Sequence, residues 1–154
     1  MGNVRGQTIK QKKFDLGGNY VIVTALHFPG NCAEAHELYK QAFGMTINSV
    51  AYNHEAPADS HDTPLTEEYK NLIMHSECSI YGIRINMNDV PNTAIPGNMF
   101  HLNIFLSSEE DVLRAFDVLK QNGVVFSEPQ PVFWSSLHCG LKDRFGITCQ
   151  IMTE

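Results

Sequence analysis

Apolar and polar residues follow two periods along this chain, and the order of the periods repeats. A largely apolar run from Tyr20 to Phe28 passes through Gly30 and Asn31 into a segment where Ala35, Leu38, Tyr39, Ala42 and Phe43 recur at helical spacing. Later, the run from Phe100 to Leu106 leads into a segment where Val112, Ala115, Phe116 and Leu119 recur in the same way. The spacing predicts an amphipathic helix after each run, closed by Gly44 in the first case and near Gly123 in the second. Asn31 with Glu34, and Ser107 with Glu110, stand at capping-box positions. Glu109 and Asp111 near the start of the second helix and Lys120 near its end suit the helix dipole. Two copies are too few for a solenoid, which stacks three or more units. The repeat therefore predicts two fused copies of a small α/β unit with something enclosed between them.

After each helix the period shortens to two. Met45 to Tyr52, Leu72 to Ile80 and Ile83 to Asn88 read as strands in the first half, and a weaker set ending in Ile147 to Met152 follows in the second. In Ile83 to Asn88 the apolar residues share one face, while Arg84, Asn86 and Asn88 share the other. Around Leu102, Ile104 and Leu106 the opposite face carries His101, Asn103 and Phe105, and around Cys149 and Ile151 it carries Thr148 and Gln150. One face packs on the helices. The other holds amides, an imidazole and a guanidinium where lysine and glutamate would cover a plainly solvated surface, and this predicts a lined cavity. The segment 53–68 is a polar insertion with two prolines, expected to be a long surface loop.

Composition narrows the partners. A length of 154 residues suits one compact domain, and 17 acidic against 11 basic residues, net −6, argue against a nucleic-acid surface. No apolar run is long enough for a membrane span, and Cys32, Cys78, Cys139 and Cys149 form no CxxC pair. The expectation is a cytoplasmic protein with reduced, packed thiols. Residues 1–19 read as a flexible tail, and 20–154 as one domain of two units, about 20–90 and 97–154.

Particular residues extend this picture. Phe28-Pro29-Gly30-Asn31-Cys32-Ala33-Glu34-Ala35, then Tyr39, Phe43 and Gly44, then Ile73-Met74-His75-Ser76-Glu77, and finally Phe133-Trp134 with Lys142-Asp143-Arg144-Phe145-Gly146-Ile147-Thr148 resemble the PhnB-like branch of the vicinal oxygen chelate superfamily. Glyoxalase I, bleomycin-resistance proteins and extradiol dioxygenases belong to that superfamily. The resemblance runs from about Tyr20 to Met152. It implies an α+β fold of paired βαβββ modules, which form a cupped mixed β-sheet with helices on its outer face and commonly assemble as a homodimer. Family enzymes hold a divalent metal on four inward positions, which alignment of the turns places near Thr24, Asn86, His101 and Gln150. Of these, only His101 is a strong ligand and Gln150 a weak one, whereas a catalytic zinc or iron site wants three good protein ligands. No cofactor is therefore expected; if a divalent metal binds, His101 and Gln150 are its candidate ligands.

The remaining candidates follow from chemistry. His101 is a candidate acid or base, since imidazole titrates near neutrality. His75 and Glu77, two apart on a strand, share a face and form a second candidate acid/base pair. Arg84, Asn86, Asn103 and Gln150 would hydrogen-bond a small polar or anionic organic molecule, with Phe105 and Trp134 adding apolar surface. His54, Glu55, Asp59, His61 and Asp62 have metal-binding chemistry but sit in the polar insertion, where a solvated acidic loop is the simpler reading. Members of the resembled branch often carry a methyltransferase label, but Leu16-Gly17-Gly18-Asn19 precedes a strand instead of following one. Methyltransferase activity is not expected. The leading reading is a binder of a small polar molecule without a complete metal site. The rivals are a metal-dependent lyase or dioxygenase and a non-catalytic sequestering protein of the bleomycin-resistance kind.

Overall fold

The protein is described by a computed structural model covering residues 22–57, 65–91 and 94–154. The expected tail, and Asp59, His61 and Asp62 of the polar insertion, lie outside the described residues. The first half runs β1 (Thr24–Phe28), α1 (Cys32–Phe43), β2 (Thr46–Tyr52), a 3-10 turn (Asn53–Glu55), α2 (Glu67–Lys70), β3 (Ile73–Ile80) and β4 (Ile83–Asp89). The second runs β5 (Leu102–Leu106), α3 (Glu109–Leu119), β6 (Val124–Val132), β7 (Ser135–Lys142) and β8 (Thr148–Thr153). Each half makes its own four-stranded sheet, ordered β1-β4-β3-β2 and β5-β8-β7-β6. In both, the first strand pairs parallel to the last and the other pairings are antiparallel. The repeat in the sequence is thus a repeat of topology, βαβββ twice. The polar insertion is shortened by α2, whose Thr66 hydroxyl accepts from the Tyr69 amide as a helix cap.

The amphipathic stripes explain how the halves join. α1 buries Cys32, Ala35, His36, Leu38, Tyr39, Ala42 and Phe43, and α3 buries Val112, Ala115, Phe116 and Leu119. The two helices pack on each other, and residues of both halves form one continuous core. Phe28 meets Phe145 edge to face with ring centroids 5.7 Å apart. The buried Tyr39 hydroxyl donates to Asp143 Oδ2 at 2.7 Å. Asp143 also accepts from the Phe145 and Ile147 amides, so its carboxylate holds the turn before β8 as well as the joint between halves. Burial raises its carboxyl above the usual aspartate range, against the downward pull of those donors.

The helix starts differ from the sequence expectation. Asn31 occupies the N-cap of α1 but makes no side-chain cap bond, and its Oδ1 is buried without a partner among the described residues. The Cys32 amide instead donates to Asp89 Oδ1 at 2.9 Å, and Asp89 Oδ2 accepts from the Ile73 amide. The side chain at the end of β4 thus serves the first amide of α1, which a helix N-terminus leaves without an intrahelical acceptor. For α3 the cap is Ser108, one residue later than Ser107, and it accepts from the Asp111 amide. This helix also ends early, at Leu119, with a turn through the left-handed Asn122 before Gly123. A Cβ at Gly123 would lie 2.6 Å from the Lys142 carbonyl oxygen, so β7 approaches too closely for any other residue.

β6 and β7 were not individually legible, because Pro129 and Pro131 interrupt the strand pattern. They are tolerated because β6 is an edge strand whose pairing with β7 shifts register three times.

Candidate functional site

Each sheet turns one face to the helices and leaves the other open. On the first sheet the open face carries Arg84, Asn86 and Asn88 from β4 and His75 and Glu77 from β3. Register places Glu77 opposite Asn86. Arg84 ion-pairs with Glu77 at 2.9 Å, and its Nε donates to Asn86 Oδ1 at 3.1 Å. The alternation read from the sequence holds here, with Ile85 and Met87 buried behind these residues, although Ile83 lies exposed. His75 and Glu77 share a side of β3, but among the described contacts Glu77 is tied to Arg84 and not to His75. His54 of the polar insertion bonds the Lys70 carbonyl, and Glu55 accepts from the Tyr52 amide, which are roles in local chain structure.

The second sheet assembles a different surface. His101, just before β5, and Asn103 and Phe105 on it lie exposed along one side, with Asn103 opposite Gln150 of β8. Gln150 stands between two imidazoles. Its Oε1 lies 2.8 Å from His138 Nε2, and its Nε2 lies 3.2 Å from His101 Nδ1. His138 is buried on β7 beneath this row. Aromatic rings surround it: Phe126 lies 6.5 Å from His101 between ring centroids, Trp134 lies edge-on 6.1 Å from His138, and Phe133 packs edge-on against Trp134 at 4.4 Å. Phe105, Phe126 and Trp134 are each more than half exposed, at 58%, 55% and 57%. Gly140 makes room for Phe126, because a Cβ there would collide with the ring.

The structure thus brings together His101, Gln150, Asn103, Phe105 and Trp134 on one face. Arg84, Asn86, His75 and Glu77 form a second group on the other sheet. His138 and Phe126 were not singled out from the sequence. The alternation of Leu137, Cys139 and Leu141 against His138 and Gly140 carried the signal, but it requires first recognising β7 as a strand.

The four family positions can be tested against these donors. Thr24 shares its side of β1 with the buried Leu26 and Phe28, so it belongs to the core side and not to the open face. Opposite Asn86 in register stands Ala25, followed on the same exposed side by His27. One residue along a strand is a change of face, so Thr24 itself does not reach the open side. What remains at Gln150 is two imidazoles and one amide, and no group of three His, Cys, Asp or Glu suited to a metal occurs among the described residues. This is not the donor set of a tightly held divalent ion. A separate cleft of about 410 Å³ lies under the segment joining the halves, lined among others by Leu26, His27, Ile95, Phe100, Phe145 and Ile147.

The buried thiols supply no nucleophile. Burial pushes Cys139 up to about 11 and raises Cys32, Cys78 and Cys149 as well. Among the described residues no helix is long and apolar enough to cross a membrane.

Known proteins are similar to this chain in sequence or in structure. The Escherichia coli protein YjdN is 27% identical over 132 residues, covering 82% of this chain and 90% of that protein. The structure of a Bacillus cereus PhnB protein, described as a putative 3-demethylubiquinone-9 3-methyltransferase, superposes with a TM-score of 0.71 at 20% identity, covering 86% of this chain and 98% of that one. A fosfomycin resistance protein FosX from Listeria monocytogenes, solved with Mn(II) and a dihydroxypropylphosphonic acid, superposes with a TM-score of 0.60 at 8% identity, covering 87% and 91%. These structural likenesses establish the fold. Residues 22–151, spanning both βαβββ halves, match the sequence model of one family throughout, and the chain belongs to the Glyoxalase/Bleomycin resistance protein/Dioxygenase superfamily.

Proposed function

We propose that this protein binds a small polar or anionic organic molecule on the open face of the second sheet. The observation that carries the reading is the row His138, Gln150, His101 set among exposed aromatic rings. Aromatic walls with a few convergent polar groups are what a small-ligand site requires. Asn103 adds a further amide beside Gln150. The exposed rings also argue that a single chain leaves the site incomplete, since a surface this apolar usually has an occupant. A second copy supplies one: in a homodimer the first sheet of one chain covers the second sheet of the other, bringing Arg84, Asn86, His75 and Glu77 over the row. Arg84 spends only part of its donor fork on Glu77 and Asn86, so it retains capacity for an anionic group. His101 is then the candidate acid or base, and His75 with Glu77 the second candidate pair. The reading is a cytoplasmic PhnB-like binder and assigns no turnover.

Trp134 is the only tryptophan of the chain, so its fluorescence reports on this face. The protein is expected to run as a dimer in light scattering. Native mass spectrometry of untagged protein is expected to show a bound organic mass that the His101→Ala variant loses. A monomer with no retained organic species would sink the proposal.

One observation favours the metal-dependent rival: His138 brings a second imidazole to Gln150, beside His101. Stoichiometric metal in untagged protein, lost in His101→Ala, would establish that reading in place of the first.

A further inference from the structure

The row on the second sheet has a direction. An amide oxygen only accepts and an amide nitrogen only donates. Gln150 Oε1 faces His138 Nε2, so that nitrogen carries the hydrogen. Gln150 Nε2 faces His101 Nδ1, so that nitrogen offers its lone pair, and the hydrogen of the neutral His101 ring sits on Nε2. Turning the amide over would reverse both bonds at once: His138 Nε2 would become the acceptor and His101 Nδ1 the donor. No intermediate arrangement keeps both bonds. The tautomers of the two imidazoles are therefore tied to one another through a single side chain.

The ends of the row are not equivalent. His138 is buried on β7, a central strand hydrogen-bonded to both β6 and β8, with the Trp134 ring against it. His101 is exposed and flanked by the Phe126 ring. We infer that His138 is a positioning residue that, through Gln150, fixes the hydrogen-bond polarity of His101, so that His101 offers an Nε2–H donor on the open face. This deepens the reading of that face as a binding site by selecting molecules with an acceptor oxygen. A ligand presenting a donor would have to overturn the amide and convert both imidazoles. The coupling itself belongs to three side chains and does not depend on any ligand.

The test uses ligand-free, ¹⁵N-labelled full-length protein and long-range ¹H–¹⁵N spectra of the imidazoles at about pH 8, above the ordinary histidine range. In the wild type, His101 Nδ1 is expected to read as unprotonated and Nε2 as protonated. Gln150→Glu replaces the amide by a carboxylate that only accepts, and is expected to move the His101 hydrogen to Nδ1. His138→Ala removes the anchor and is expected to leave His101 as a mixture of tautomers. If His138→Ala does not fold, His138→Phe takes its place, keeping a ring without the donor; a single, unchanged His101 tautomer in the His138 variant overturns the inference. Protonated Nδ1 on His101 in the wild type, or the same His101 tautomer in the wild type and Gln150→Glu, overturns the inference. Because no ligand is involved, the inference can fail while the binding-site reading survives, and the reverse.

Discussion

The two sheets share a topology and differ in what they expose. On the first, charge meets charge: Arg84 is tied to Glu77 and Asn86, and the face is polar and internally neutralised. On the second, neutral hydrogen-bonding groups line up among exposed aromatic rings. The cores differ in the same spirit. α1 buries His36, whose Nε2 lies 2.9 Å from Ser76 Oγ with the thiols of Cys32 and Cys78 each at 3.7 Å, whereas α3 buries only apolar side chains. The duplicated fold needs only the pattern of buried and open positions. The identity of the open residues is free to diverge, and that is where the halves have become different.

The helix starts differ as well. α1 depends on Asp89, far along the chain, and α3 on its own Ser108. The joint between halves depends on Asp143. The largest effect is expected from Asp143→Ala, which strands the Tyr39 hydroxyl and the Phe145 and Ile147 amides. A loss of about 3 kcal/mol or more in urea unfolding is expected. Asp89→Ala should come next, at about 1–3 kcal/mol, because it uncaps α1 and strands the Ile73 amide together. Ser108→Ala should cost about 1 kcal/mol, a local cap alone. Equal losses for Asp89→Ala and Ser108→Ala would remove the distinction between a tertiary and a local cap.

His36 supplies a pH test. Burial, and Lys40 next, hold its folded value below 6.5, so as pH falls below that value the unfolded chain takes up the proton first. Stability from neutral His36 is present above that range and lost beneath it. Hydrogen exchange is expected to show β3 and β4 losing protection before β7 and β8 when the pH is lowered from about 7 to about 5, a window bracketing ordinary histidine. Simultaneous loss in both sheets would show that His36 does not act on the first sheet separately. The smallest effect belongs to Arg84→Ala. Its pair with Glu77 is part-exposed, with side chains at 46% and 32%, so thermal or urea unfolding should change by no more than about 1 kcal/mol.

Much of the fold was legible because burial imposes period. The stripes on α1 and α3, the Gly44 stop and the open faces around Arg84, Asn86, His101, Asn103 and Gln150 all follow from alternation that the chain cannot hide. Less of the site was legible. Which side of β1 Thr24 takes was not legible, because a difference of one residue exchanges faces. His138 was not legible, because its strand lies next to a proline-broken edge. The pairing of Glu77 with Arg84 and not His75 depended on register across two strands.

Spacing alone carries a strand, a helix and further strands, twice over, and shows on β4, β5 and β8 which residue types share a face, because hydrophobic burial is written as spacing. Which outward residues meet is set in three dimensions. Asp89 reaches α1, Tyr39 reaches Asp143, and Gln150 stands between His101 and His138, because such contacts depend on strand register and sheet twist across many intervening residues. Directional bonds between residues far apart leave no periodic trace in a chain.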